Sequence, residues 1–263
     1  MSRMKWYRVI ILLTAAFLFS NCAFFKPSKE LETIPAEKAS EVRNLLSVIQ
    51  SKNDTLKNFK GIGKIKVWKN GSIQADQRVA WIGEKPVKLS IAVLVSGYPA
   101  IKLATDGKWL YYLETRGHDT VFKKIAASDP SLRNIISIPI KSSDIVTLLA
   151  GGIPLREFDT VAVIEDESSN GYVLDLKARW RGIQQKIYLD ESGSQVRQID
   201  VFDRSGALKY RAEIENMRSV NGYQMPFRLK LSTGEGADFL LDVDRYWVNV
   251  ELPTAVFTLA PPD

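Results

Sequence analysis

Reactive side chains are scarce in this chain. Among its 263 residues there is one thiol, Cys22, and one imidazole, His118. No HExxH, CxxC or GxSxG pattern occurs, so zinc hydrolysis, dithiol exchange and serine-hydrolase chemistry all lack their residues. His118 falls in the turn-like stretch Arg116-Gly117-His118-Asp119 and reads as an exposed loop residue, not a base. Carboxylates gather at Asp242 with Asp244 and at Glu165-Asp166-Glu167. These positions suit solvated strand or turn charges, and no ligand set with metal spacing accompanies them. The expectation is a protein that is not an enzyme and holds no metal or cofactor.

Cys22 suits a different chemistry. A basic head (Arg3, Lys5, Arg8) precedes the apolar run Val9–Phe19, broken only by Thr14. That run has the length of a signal-peptide core and falls short of the roughly 20 residues that span a bilayer. Ser20 and Asn21 then lead to the cysteine, and the segment resembles the lipobox of bacterial lipoproteins. Asn21 stands where that pattern has a small residue, and Phe19 where it has Leu. Residues 1–21 are therefore read as a lipoprotein signal peptide. Cys22 becomes the lipidated first residue, carrying a diacylglycerol and an N-acyl chain. An ordinary cleaved signal or an uncleaved anchor with an incidental thiol is the alternative. Residues 22–35 form a tether, in which Pro27 and Pro35 oppose regular structure.

Losing the leader changes the charge. The 36 basic against 30 acidic residues become 33 against 30 once Arg3, Lys5 and Arg8 are removed, a net +3 spread along the chain. Nucleic-acid binding usually needs a concentrated basic face, and the sequence has no long basic block to point to one. The chain is 45% hydrophobic, enough for a substantial core.

The elements that must carry any site fall in a clear order. Between Pro35 and Asn53, apolar Val42, Leu45, Leu46 and Ile49 recur at helical spacing on one face. From Leu56 the period changes to two. Ile65 and Val67 alternate with lysines, Lys69-Asn70-Gly71-Ser72 supplies a hairpin turn, and Val79 and Trp81 lie on the return strand. Leu89, Ile91 and Val93 follow, and Asp106-Gly107 marks another hairpin. The middle, Ser131 to Leu155, returns to helical spacing. Its second helix is expected to be capped by Ser142-Ser143-Asp144 and ended by Gly151-Gly152. Strands then resume through Leu174, Leu176, Ile199, Val201, Tyr210 and Ile214 to Phe239–Val243.

The sum is a mainly β protein with about ten or eleven antiparallel strands. A sheet that long curls or closes. The predicted domain, residues 36–263, is a strongly curved half-barrel lidded by the N-terminal helix and the central helical insertion. Periodicity alone allows either a packed or an open interior.

This order resembles the LolA/LolB-like periplasmic lipoprotein carriers and outer-membrane lipoprotein receptors. The local echoes are Phe59-Lys60-Gly61-Ile62-Gly63-Lys64-Ile65, the stretch Asp144–Leu155, Met225-Pro226-Phe227-Arg228-Leu229-Lys230-Leu231, and Trp247–Pro253 with Phe257-Thr258-Leu259. The likeness spans roughly residues 36 to 260, and a lipidated Cys22 favours the anchored receptor branch. The resemblance implies a monomer at the periplasmic face of the outer membrane. Its partners would be the acyl chains of lipoproteins or another envelope lipid, the membrane, and a soluble periplasmic lipoprotein carrier. An apolar hollow would hold the chains, with Ile65, Val67, Val79, Trp81, Leu89, Ile91, Leu174, Leu176, Tyr210 and Ile214 as candidate wall residues. In the receptor branch an early loop projects an apolar residue to the membrane; the matching stretch is Leu94-Val95-Ser96-Gly97-Tyr98-Pro99, with Leu94, Val95 and Tyr98 as candidates. Two alternatives use the same fold: an envelope scaffold or sensor with a filled core, and a carrier of another envelope lipid.

Overall fold

The computed structural model describes residues 36–117, 119–133, 137–166, 170–253 and 255–262. Cys22, the leader and the tether lie outside these residues, as do His118, Glu167 and the Ile135-Ile136 part of the first helix expected in the insertion. Helix α1 (Ala36–Ser51) comes first. Six strands follow: β1 (Asn58–Lys69), β2 (Ser72–Glu84), β3 (Lys88–Val95), β4 (Tyr98–Thr105), β5 (Trp109–Arg116) and β6 (Asp119–Ala126). The crossover carries α2 (Ser142–Leu149). Then come β7 (Thr160–Asp166), β8 (Gly171–Ala178), β9 (Gly182–Leu189), β10 (Val196–Phe202), β11 (Leu208–Val220), β12 (Tyr223–Ser232) and β13 (Ala237–Val248).

All thirteen strands join one antiparallel sheet in the order β6-β5-β4-β3-β2-β1-β13-β12-β11-β10-β9-β8-β7. The first meander runs outward from the centre, the chain crosses over, and the second meander runs back in. The sheet is open, with β6 and β7 at its edges. The count exceeds the expected ten or eleven. Edge strand β7 is one that the sequence pattern does not announce, because Val161-Ala162-Val163-Ile164 is a continuous apolar run with no period of two.

Inward residues form one core that includes Ile65, Trp81, Leu174, Ile199, Tyr210 and Leu229. Helix α1 buries Val42, Leu46 and Ile49 and reaches β7, while α2 approaches β2, β3 and β12. Four strand spacings of about 4.8 Å separate β3 from β12 in the sheet order, and an eight-residue helix is only about 12 Å long. A single short helix meets both because the sheet wraps around it. The outer face is polar: Asp175, Lys186, Asp200 and Arg211 stand in register across β8 to β11 with alternating sign. Both guanidinium contacts from Arg211 to Asp200 measure 2.7 Å.

Both helix ends are pinned. Asn53 takes a left-handed φ of 61° after α1, and its amide donates to the carbonyls of Ala150 at 2.8 Å and Gln224 at 2.7 Å. Helix α2 closes with Gly152 N–H on Thr147 O and Gly151 N–H on Leu148 O, both at 2.9 Å, the pairing of a Schellman motif. Gly151 has a φ of +75°, and a Cβ there would sit 2.0 Å from Gln224 O, so no other residue fits without displacing β12. The start of α2 departs from expectation. Lys141 takes the N-cap position without capping the helix through its side chain, which pairs with Asp129 at 3.3 Å, and Ser142 and Ser143 already lie within the first turn. The cap comes from Asp129, whose carboxylate accepts from Ser143 N–H and Ser143 Oγ, each at 2.9 Å.

Candidate functional site

Beneath α2 the core contains an apolar hollow of about 90 Å³. Its floor and walls are Ile65 from β1, Val79 and Trp81 from β2, Ile91 and Val93 from β3, Ile101 and Leu103 from β4, Leu229 from β12, and Phe239 and Leu241 from β13. Leu132, Ile145 and Leu149 from the crossover form the lid. The lining exposes almost no polar surface. At ~30 Å³ per water-sized group, the hollow holds a few methylenes, not a whole acyl chain. A longer guest requires α2 to move.

Trp81 shapes one end. Gly61 faces it from the neighbouring strand, and a Cβ on Gly61 would lie 2.3 Å from Trp81 Cζ2, so the bare backbone lets the indole lie flat across β1. Tyr246 packs edge-on against Trp81, Phe59 and Phe227, at centroid distances of 5.6, 6.3 and 5.6 Å. The indole N–H of Trp81 and the Tyr246 hydroxyl are buried with no hydrogen-bond partner among the described residues, and burial pushes the Tyr246 phenol up. Each is a polar cost within an apolar region.

The opposite face of α2 is different. Ile145 and Leu149 point into the hollow, whereas Ser143, Asp144 and Thr147, half a turn round, line a polar cleft of about 320 Å³. Lys52, Lys85 and Arg156 also reach that cleft. An apolar guest there would strip water from these charges, so the smaller hollow suits an apolar group better. Inside the cleft wall, Arg156 pairs with buried Asp144 and donates to Tyr210 Oη at 3.1 Å. The Tyr210 hydroxyl in turn donates to Asp144 at 3.0 Å. Burial first, then the Asp144 charge, raises the Tyr210 phenol.

Of the ten wall candidates, the structure brings Ile65, Val79, Trp81 and Ile91 together around the hollow. Leu89, Leu174, Leu176, Tyr210 and Ile214 lie in closely packed core, and Val67 is partly exposed on β1. Alternation identifies the inward face but not where the layer above leaves a gap, and that gap stops short of β8 to β11. Sequence reasoning did not single out Val93, Ile101, Leu103, Leu132, Ile145, Leu149, Leu229, Phe239 and Leu241. The strand members among them carry the same alternation as those that were. In the β3–β4 hairpin Leu94 is half-buried, while Val95 and Tyr98 are 46% and 77% exposed around the turn Ser96-Gly97.

The architecture has counterparts among solved structures. A DUF1329 family protein from Desulfovibrio piger superposes with a TM-score of 0.57 at 12% identity, over 85% of this chain and 97% of that one. A LolA superfamily protein from Nitrosomonas europaea gives 0.53 at 16% identity, over 82% and 97%. The fold is LolA-like. No family model and no curated protein matches the sequence, so the likeness is one of architecture. In this LolA-like sheet the hollow lies between the inner strands and the crossover helix, and each wall residue is placed by the pleat.

Proposed function

We propose that this chain is an envelope lipoprotein, anchored through lipidated Cys22, that takes acyl chains into the hollow beneath α2. It receives them from a soluble periplasmic lipoprotein carrier and helps insert the lipoprotein into the outer membrane. It acts as a monomer, without catalysis and without a cofactor beyond its own anchor. The observation that carries this reading is the hollow itself, a nearly wholly apolar void in the wrapped face of a LolA-like sheet.

The energetics set the condition for occupancy. Each methylene kept from water is worth about 0.8 kcal/mol, but a chain handed over by a carrier never enters water, so occupancy turns on the difference between two apolar sites and on the cost of shifting one two-turn helix. The small size of the hollow favours a second reading, an envelope scaffold or sensor with an essentially filled core. Native mass spectrometry of the full chain, purified from its own envelope, separates the two. The carrier reading expects a lipid adduct that Ile91→Glu loses while circular dichroism stays native. A folded wild type with no adduct and no uptake of added long-chain lipid supports the scaffold.

A further inference from the structure

The two most exposed aromatic side chains among the described residues, Trp180 at 92% and Tyr98 at 77%, lie in hairpins eight strand positions apart. Because every neighbour in the sheet is antiparallel, successive turns alternate between its two ends. Tracing the register from Lys69 opposite Ala237, through Ser232 opposite Arg211 and Val201 opposite Gln185, places the β1–β2, β3–β4 and β8–β9 turns at the same end. That end also carries Ile73, 62% exposed, beside the β1–β2 turn. The hollow spans the middle of the sheet: it reaches toward this end through Phe239, paired with Val67, while Trp81, paired with Gly61, lies toward the other.

The β8–β9 turn has its own chemistry. Its sequence is Arg179-Trp180-Arg181, closed by a bond from Arg181 N–H to Ala178 O at 3.0 Å. All three side chains are exposed. The nearest carboxylate contact is Asp159, which accepts from the backbone N–H of Arg179 at 2.6 Å and fixes the turn. Among the described residues no carboxylate pairs with either guanidinium. An indole held in water beside two unpaired guanidiniums matches a bilayer interface, where indole settles at the headgroup level and phosphates take arginine.

We propose that the Arg179-Trp180-Arg181 turn is a membrane contact that seats this end of the sheet on an anionic phospholipid surface. With the Tyr98 and Ile73 turns it makes three separated points, which fix the tilt of the domain and turn the Phe239 side of the hollow toward the bilayer. The purpose of this contact rests on the lipid-delivery reading, but the contact itself is measured separately.

The test uses the full chain reconstituted in vesicles of phosphatidylglycerol and phosphatidylcholine with brominated acyl chains. Wild-type tryptophan emission should be quenched more than that of Trp180→Phe, and the excess should vanish in Arg179→Gln/Arg181→Gln or in pure phosphatidylcholine. Equal quenching of wild type and Trp180→Phe overturns the contact, and would arise if the turn meets a protein instead. Excess quenching indifferent to headgroup charge overturns the role of the arginines. Uptake of an apolar dye is read on the same samples. Quenching through Trp180 without uptake defeats the lipid-carrying reading and leaves the contact standing; uptake without quenching does the reverse.

Discussion

The hydroxyl of Tyr210 on β11 donates to Asp144 on α2 at 3.0 Å, inside the core and between residues 66 positions apart. This bond and the Arg156 pair beside it fasten the crossover helix to the second meander. Removing the hydroxyl by Tyr210→Phe should lower stability by about 1–3 kcal/mol, because Asp144 stays buried with one donor fewer. Tyr246→Phe is the contrast: its hydroxyl has no partner among the described residues, so the substitution should be neutral or stabilising. Denaturant midpoints of the two variants, measured side by side, check both.

The cap on α2 gives a pH dependence. Burial alone would raise the Asp129 carboxyl, but the N–H and hydroxyl of Ser143 and the charge of Lys141 bring it below the usual carboxylate range. A carboxyl held low in the folded state stabilises at pH above its unfolded value and loses that contribution as pH falls through the folded one. Wild type should therefore weaken as pH drops below about 4, the ordinary Asp range. Asp129→Ala should cost about 1 kcal/mol at neutral pH and speed amide exchange in the first turn of α2. Asp129→Asn should flatten the acid limb in pH-dependent unfolding. An unchanged limb would show that the cap does not hold the helix.

Filling the hollow should separate binding from folding. Ile101→Phe adds bulk where there is a void, so stability should hold or rise by about 0.5–2 kcal/mol, as cavity-filling changes do. Uptake of an apolar dye should fall. Thermal unfolding and dye titration on the same preparation read the two effects, and uptake equal to wild type would place the site elsewhere.

Delivery is a separate step from capture. With Val95 and Tyr98 exposed beside the β3–β4 turn, Val95→Glu/Tyr98→Glu should leave dye uptake intact. Transfer of lipid to acceptor liposomes should drop, since each charge resists entry to the acyl region at about 2.5–3.5 kcal/mol. Transfer at the wild-type rate would remove this turn from delivery. Cys22→Ser should abolish incorporation of labelled palmitate; equal incorporation by the two chains would move the lipid to another residue.

Much of the architecture is legible in the chain. The stripe Val42, Leu46 and Ile49 announces α1, and Asn70-Gly71 announces the first hairpin with its two left-handed residues. The misses at the helix cap and at the hollow depend on residues distant in sequence. Ser142 and Ser143 look like caps, yet the carboxylate that closes the helix comes from Asp129, and no local pattern reports such a partner. Leu176 and Ile91 alternate alike, but only the latter lies under the gap left by α2. Trp180 sits in an ordinary-looking turn, and its exposure follows from the loop geometry, not from its neighbours in sequence. Strand β7 is hidden by its unbroken apolar run.

On the proposed function, an acyl chain occupies the space between α2 and strands β1 to β4, β12 and β13. The most direct measurement is photo-crosslinking of the full chain with a long-chain lipid bearing a diazirine on its acyl tail, followed by peptide mapping. Labelled peptides should contain Ile91–Leu103 and Ile145–Leu149, and labelling should decline in Ile101→Phe. Labels confined to the outer face, along Asp175, Lys186, Asp200 and Arg211, would contradict the account.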